Sequence, residues 1–182
     1  WVGTNGDGLT QLRGNQVTRF GPDQGLDNGH VWSVLPDTQG TIWAGTWGGL
    51  FAQQPGGSFE LRSDFTRVSG QVLGLFADQQ GSVWVGQQGL GGVARLDLGR
   101  PVVPPLPGLP DAEDVRAMAQ TPDGSRWFGT SGHGLIRWKD GVVTRYGRTN
   151  QLGADTVWAL HVDDTGTLWV GTYRGGLANF RD

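Results

Sequence analysis

Cysteine is absent from the 182 residues. That excludes disulfides, thiolate zinc sites and cysteine nucleophiles, and it suits an oxidising compartment. Long apolar runs are missing too, so no segment approaches the ~20 residues that a membrane-spanning helix needs. Charge is scarce: 14 basic and 17 acidic residues leave a formal net charge of -3. Such a balance gives no basic footprint for nucleic acid. Lysine occurs once, as Lys139, and glutamate twice, as Glu60 and Glu113. The chain begins on Trp1, with no charged-then-apolar leader before it. Trp1 already falls within a repeat, and the expectation is a segment of a longer protein.

Glycine and tryptophan are abundant instead. The chain holds 33 Gly and 9 Trp, where Gly ordinarily makes up ~7% of a protein. No G-x-y period exists, which excludes collagen. Large apolar residues recur throughout, which excludes disorder. Gly at this density beside Val, Leu and Trp points to many tight turns between short strands.

A repeat organises these residues. The anchors WVGT, WAGT, WVGQ, WFGT and WVGT start at Trp1, Trp43, Trp84, Trp127 and Trp169, spaced 42, 41, 43 and 42 residues apart. Gly40, Gly81, Gly124 and Gly166 each stand three residues before a Trp. Nine residues before each of those Gly is a Val, opening VWSVL, VLGLF, VRAMA and VWALH. Seven to nine residues after each Trp comes a Gly-Leu or Gly-Val step.

Each unit therefore reads as four short strands: the Val-led stretch, the Trp strand, a strand such as GLFAQ, and an outer strand such as VVTRY. A four-stranded unit with a period near 42 is the signature of a propeller blade. The expected fold is all-β, a single partial β-propeller over 1–182. It comprises an incomplete unit 1–30, three complete units over about 31–70, 71–114 and 115–156, and an incomplete unit 157–182. It forms an open arc. No segment keeps a 3.6 period for ten residues without meeting Gly or Pro, so helices are not expected.

Several residues have structural readings. The second-strand Trp are expected to pack between neighbouring units. Asp37, Asp78 and Asp163 are expected to cap the turns that Gly40, Gly81 and Gly166 close. The fourth unit departs, with Thr121 in that place and Asp123 beside Gly124. After the leading Val, Trp32 and Trp158 are expected to be inner-strand core. Next comes a small residue, Ser33, Gly74, Ala117 or Ala159, as crowding around an axis requires. The stretch 99–111 holds five of the nine Pro and is expected to blunt the outer edge of its unit and stiffen the connector.

The pattern D-x-x-G-x-[LIV]-W-[VA]-G-T followed by Gly-Leu resembles the two-component regulator propeller repeat. Asp37–Thr46 and Asp163–Thr172 fit it fully. Asp78–Gln87 ends on Gln, and the Trp127 unit lacks the leading Asp. The resemblance covers essentially the whole chain. It implies the periplasmic input region of a bacterial inner-membrane signalling protein whose output is a histidine kinase, a hybrid regulator or a diguanylate cyclase. It further implies a small-molecule or carbohydrate ligand, contacts with the rest of its own signalling chain, a homodimer of the full-length protein, and no membrane contact by this segment. The function expected is binding without catalysis.

Candidate ligand residues follow from position. Trp47, Tyr173 and Arg174 lie in second-to-third strand hairpins where small residues would suffice, and they are residue types that anchor recognition surfaces. His133 sits in a like hairpin. His30, Asp114, Arg116 and Asp155 stand at inner-strand entrances, which share a propeller face with those hairpins. His30, His133 and His161 fall in different units and lack HxH or HExxH spacing, so neither a metal site nor a cofactor is expected. Two other readings stay open: a structural or protein-interaction propeller without small ligand, and a carbohydrate-active or lyase-type enzyme. For the latter, no paired carboxylates can be assigned.

Overall fold

The computed structural model describes residues 1–63, 70–89, 92–102 and 113–181. Among them, five antiparallel sheets follow one another along the chain. The first holds β1 (Val2–Gly3), β2 (Leu9–Arg13) and β3 (Gln16–Phe20). The second holds β4 (Val31–Pro36), β5 (Ile42–Thr46), β6 (Gly49–Gln53) and β7 (Phe59–Leu61). The third holds β8 (Val72–Ala77), β9 (Val83–Gln87), β10 (Val93–Asp97) and β11 (Arg100–Val102). The fourth holds β12 (Val115–Gln120), β13 (Arg126–Thr130), β14 (Leu135–Lys139) and β15 (Val142–Tyr146). The fifth holds β16 (Val157–Val162), β17 (Leu168–Thr172) and β18 (Gly176–Phe180). Each sheet is a meander in sequence order, and the inner strands β4, β8, β12 and β16 lie side by side. This is an all-β, open propeller. A 3-10 turn spans Pro22–Gln24, and no α-helix occurs among the described residues.

The repeated Trp cement the sheets. Trp43 packs with Val72, Val83 and Val85 of the following sheet. Trp84 packs with Met118, Phe128 and Ile136, and Trp127 with Leu168 and Val170. These three are 1–2% exposed. Trp169, in the last of the five described sheets, is only half-buried. On the outward face of the first sheet, Val2, Leu12 and Val17 lie open.

Each indole is also anchored at its nitrogen. Trp43, Trp84 and Trp169 donate Nε1–H to the turn carboxylates of Asp37, Asp78 and Asp163 at 2.8, 2.8 and 2.7 Å. The other oxygen of each carboxylate accepts amide N–H groups two and four residues on. One Asp thus closes the turn and satisfies a core indole. In the fourth unit Trp127 donates to Thr121 Oγ1 at 3.0 Å, and Thr121 donates in turn to Asp123 at 2.5 Å. The turn Gly are needed for their backbone: Gly40, Gly81, Gly124 and Gly166 have φ of 82–84°, which other residues adopt only under strain.

Burial pushes the Asp123 carboxyl up, but hydrogen bonds from Lys139, Ser125 and Thr121 outweigh it and hold the group well below the ordinary carboxylate range. Hydrogen bonds from Thr165 and Trp169 do the same for Asp163. A depressed carboxyl stabilises the fold above its unfolded pKa of ~4. That contribution is lost as pH falls from there through the folded value. The Asp123→Asn variant should therefore be less stable than the parent at pH 7, and the gap should narrow steadily below pH ~4. Denaturant midpoints of both proteins across that range measure it.

In all four inner strands the register slips by one. Val31 opposes Thr46 while Ser33 opposes Gly45, leaving Trp32 as the extra residue of a β-bulge. Leu73, Arg116 and Trp158 are the corresponding residues. The small residue that follows is sterically required at Gly74, where a Cβ would sit 2.4 Å from the Arg116 carbonyl oxygen. The expected core placement of Trp32 and Trp158 is corrected: they are 46% and 53% exposed. The bulge re-aims these side chains, as bulges do. In the proline-rich stretch, β11 is a short outer edge strand with Pro101 opposite Leu96. Residues 103–112 lie outside the described residues.

Candidate functional site

The hairpins and the inner-strand entrances are bonded to each other. The hairpin after each second strand is tied to the residue just before the inner strand of the same sheet: Trp47 N–H donates to the His30 carbonyl, Gln88 to Gln71, Ser131 to Asp114 and Tyr173 to Thr156. From one sheet's hairpin to the next sheet's entrance, Gly8 donates to Gly29 and Gly134 to Asp155, and bridges join Asn5 to His30 and Ser131 to Thr156. These loops and the first residues of the inner strands lie at one end of the sheets, and they carry Trp47, His133, Tyr173, Arg174, His30, Asp114, Arg116 and Asp155.

In the second, fourth and fifth sheets the bulge residue and the first hairpin residue meet. Trp32 meets Trp47, with ring centroids 6.3 Å apart. Arg116 Nε donates to Ser131 Oγ. Trp158 stacks near Tyr173 at 5.9 Å and 26°. Leu73 and Gln88 occupy the corresponding places in the third unit. Trp47 also stacks on His30 at 4.0 Å, and His30 Nδ1 is 2.7 Å from Asn5 Oδ1. A cleft of about 280 Å³ opens here between the first two units, lined by Gly3, Thr4, Asn5, His30, Val31 and Trp32. Between the last two units, Arg116 lies 5.3 Å over Trp158, and Arg174 lies 5.1 Å over Tyr173.

The remaining candidates stand apart or are tied to backbone. Asp114 accepts the Gly89 N–H at 2.6 Å, and Asp155 accepts the Arg148 N–H at 2.7 Å. His133 is exposed in the β13–β14 hairpin, its N–H bonded to Thr130 Oγ1 at 3.1 Å. His161 lies farther along β16, opposite Trp169. Glu60 is on the outer strand β7, while Glu113 is buried and paired with Arg145 at 2.8 Å. Sequence reasoning missed Trp32 and Trp158 as face residues, along with Asn5 and Ser131.

Larger grooves lie at the opposite end. One of about 560 Å³ is lined by Asp37, Gln39, Trp43, Gln53 and Arg62 among others, and one of about 390 Å³ by Pro122, Asp123, Thr165 and Arg181 among others. Their carboxylates already hold turn amides, indoles or hydroxyls.

An aromatic on this face should matter little for folding. Trp47 is 41% exposed, and its main ring contact is one stacked imidazole. Trp47→Ala should cost about 1 kcal/mol or less, read from a denaturant melt. A loss equal to that of a buried Trp would show it to be core.

The sequence profile of the two component regulator propeller family matches residues 25–48 and 151–174, the segments carrying both aromatic pairs. A search of curated proteins finds no match. Among solved structures, the chain is similar to the extracellular domain of BT4673 from B. thetaiotaomicron, described as a one-component system. The two are 23% identical over 97% of this chain and 25% of that one, with a TM-score of 0.77. PorZ of Porphyromonas gingivalis, a bacterial surface component of the type-IX secretion system, is 17% identical over 98% of this chain and 36% of that one, with a TM-score of 0.56. Virginiamycin B lyase from Staphylococcus aureus is 17% identical over 84% and 55%, also at 0.56. The chain thus spans about a quarter of the length of the BT4673 domain, and at these identities the likeness is one of fold. On that fold, residues 25–48 and 151–174 are similar to the two component regulator propeller repeat.

Proposed function

We propose that the chain is part of the extracytoplasmic, periplasmic input region of a bacterial signalling protein, whose output is a histidine kinase, hybrid regulator or diguanylate cyclase. It acts by binding a ligand on the hairpin-and-entrance face. The observation that carries this reading is the pairing of large aromatic side chains at matched positions, held about half exposed by a bulge that recurs in every inner strand. A core would bury such rings, each worth about 1.5–3 kcal/mol on burial. Rings presented to water are typical anchors for a ligand. The family repeats and the likeness to an extracellular domain support the placement outside the cytoplasm. Ligand contact across two units shifts their relative geometry, and a distal domain reads the shift.

A membrane-topology fusion tests the placement. Alkaline phosphatase joined after residue 181 of the full-length protein should be active, and β-galactosidase at the same point inactive. The converse would overturn the reading. In the same strain, Trp47→Ala with Tyr173→Ala should abolish the ligand-dependent output while leaving protein level and basal output unchanged.

A further inference from the structure

Both Asn-Gly steps of the chain, Asn5–Gly6 and Asn28–Gly29, meet between the first two sheets. The first lies in the β1–β2 hairpin and the second at the entrance to β4. Gly6 N–H and Gly8 N–H both donate to the Gly29 carbonyl at 3.0 Å. His30 touches both asparagines: its Nδ1 is 2.7 Å from Asn5 Oδ1, and its backbone N–H donates to Asn28 Oδ1 at 3.0 Å. A glycine after asparagine leaves the side-chain carbonyl open to attack by the next backbone nitrogen, because no Cβ shields it. That chemistry is independent of what the face binds.

The two steps are held differently. At Asn5 the nitrogen that would attack, that of Gly6, is committed to the Gly29 carbonyl. At Asn28 the corresponding N–H, that of Gly29, donates to nothing among the described residues. The bond from His30 folds the Asn28 side chain back over the Gly29 peptide. The same N–H faces the oxygen on which negative charge develops as a nitrogen adds to Cγ, and a donor so placed lowers the barrier. Nor does the fold admit a shielding residue at position 29, where a Cβ would lie 2.1 Å from the Gly6 carbonyl oxygen. Close packing of the hairpin on the entrance thus keeps a reactive step in place.

We propose that Asn28–Gly29 is a site of spontaneous modification, where Asn28 converts to aspartate and isoaspartate and the tie between the first two sheets loosens. The Gly29 nitrogen gives its proton to solvent base, and its electron pair forms a bond to Asn28 Cγ. The Cγ–Nδ2 bond breaks, and Nδ2 takes up a proton and leaves as ammonia. Water then opens the resulting succinimide at one of its two carbonyls. One opening leaves aspartate at position 28, which still accepts the His30 N–H and adds a negative charge beside the His30 cleft. The other leaves isoaspartate, which routes the main chain through the former side chain. That lengthens the backbone by one carbon between Leu26 and Val31, both buried, and displaces the Gly29 carbonyl from the Gly6 and Gly8 amides.

The chain is aged at mildly alkaline pH, folded and in urea. Trypsin places Asn5 and Asn28 in separate peptides, 1–13 and 20–62, and mass spectrometry with electron-transfer fragmentation reads aspartate and isoaspartate in each. In urea the two steps should react at similar rates. In the folded chain Asn28 should react about tenfold faster than Asn5, or more. Asn28→Ser, whose hydroxyl can still accept the His30 N–H, should give no product at position 28 and keep the parent's melting temperature. Hydrogen exchange at the Gly6 and Gly8 amides should be faster in the aged parent than in aged Asn28→Ser. Equal rates at the two asparagines in the folded chain, a faster Asn5, or no product at Asn28 would overturn the site. Exchange at Gly6 and Gly8 that stays the same as product accumulates would overturn the loosening. The topology and output experiments test the sensor role separately.

Discussion

Trp84→Ala should destabilise the chain by about 3–5 kcal/mol, the range for emptying a large buried aromatic site. Trp84 is 1% exposed and fills the gap between the third and fourth sheets, against Met118, Phe128 and Ile136. Arg95 and Arg126 lie over its ring at 5.5 and 5.3 Å. Truncation does more than open a cavity. Asp78, itself 5% exposed, loses the indole N–H at 2.8 Å and keeps its two turn amides and a longer contact from Arg126 Nη2 at 3.5 Å. A buried acceptor robbed of one donor costs about 1–3 kcal/mol. Trp84→Phe separates the two parts: it retains most of the packing and lacks the N–H, so it should lose about 1–3 kcal/mol. In the 182-residue chain Trp169→Ala should cost less than Trp84→Ala, because Trp169 is only half-buried. Urea midpoints of the three variants decide the matter. Equal losses at Trp84 and Trp169 would mean that the interface between sheets contributes little.

Much of this architecture is legible in the sequence because it is repeated. Five Trp in register, four Val nine residues before a turn Gly, and Gly-Leu steps after each hairpin define the strands without any long-range information. The turn Asp were legible as caps. Their second task was not, because a bond from Asp37 to the indole of Trp43 depends on how two strands fold back, and alternation along one strand says nothing of it. Thr121 with Asp123 shows the same limit. The fourth unit looks like a broken motif, yet the hydroxyl relays the carboxylate to Trp127.

The core expectation for Trp32 and Trp158 rested on their place after the leading Val and took no account of a bulge there. The signal for one was present. VWSV, VLGL, VRAM and VWAL each place apolar residues three apart, and in the fold both ends of each step pack on one side: Val31 with Val34, Val72 with Leu75, Val115 with Met118, Val157 with Leu160. A spacing of three within a strand marks a bulge, since a period of two cannot put those residues on one face. The face carrying the aromatic pairs follows from that slip, and so does the short distance between Arg116 and Trp158.

Gly86→Ala should cost about 2–3 kcal/mol, at the upper part of the range for overpacking, while Gly171→Ala at the equivalent site should be near neutral. Both glycines follow W-V in the second strand of their unit, and neither needs a left-handed backbone. What differs is the neighbour. A Cβ on Gly86 would sit 2.5 Å from the carbonyl oxygen of Val115, where the next inner strand crosses. That oxygen is backbone and cannot rotate away, so β12 must retreat from β9 and disturb the contacts of Trp84. Gly45 and Gly129 meet side-chain methyls of Val72 and Val157 at 2.5 and 2.6 Å, atoms with slightly more freedom. A Cβ on Gly171 would find its nearest neighbour, Ala159 Cβ, at 3.5 Å, an ordinary contact. The W-x-G step thus exists for the close approach of successive inner strands, and its steric demand should vanish where no inner strand follows. Denaturant midpoints of Gly86→Ala and Gly171→Ala in the 182-residue chain measure the contrast. Similar losses at both sites would show that the glycine serves its own strand's conformation and not the packing of one unit on the next.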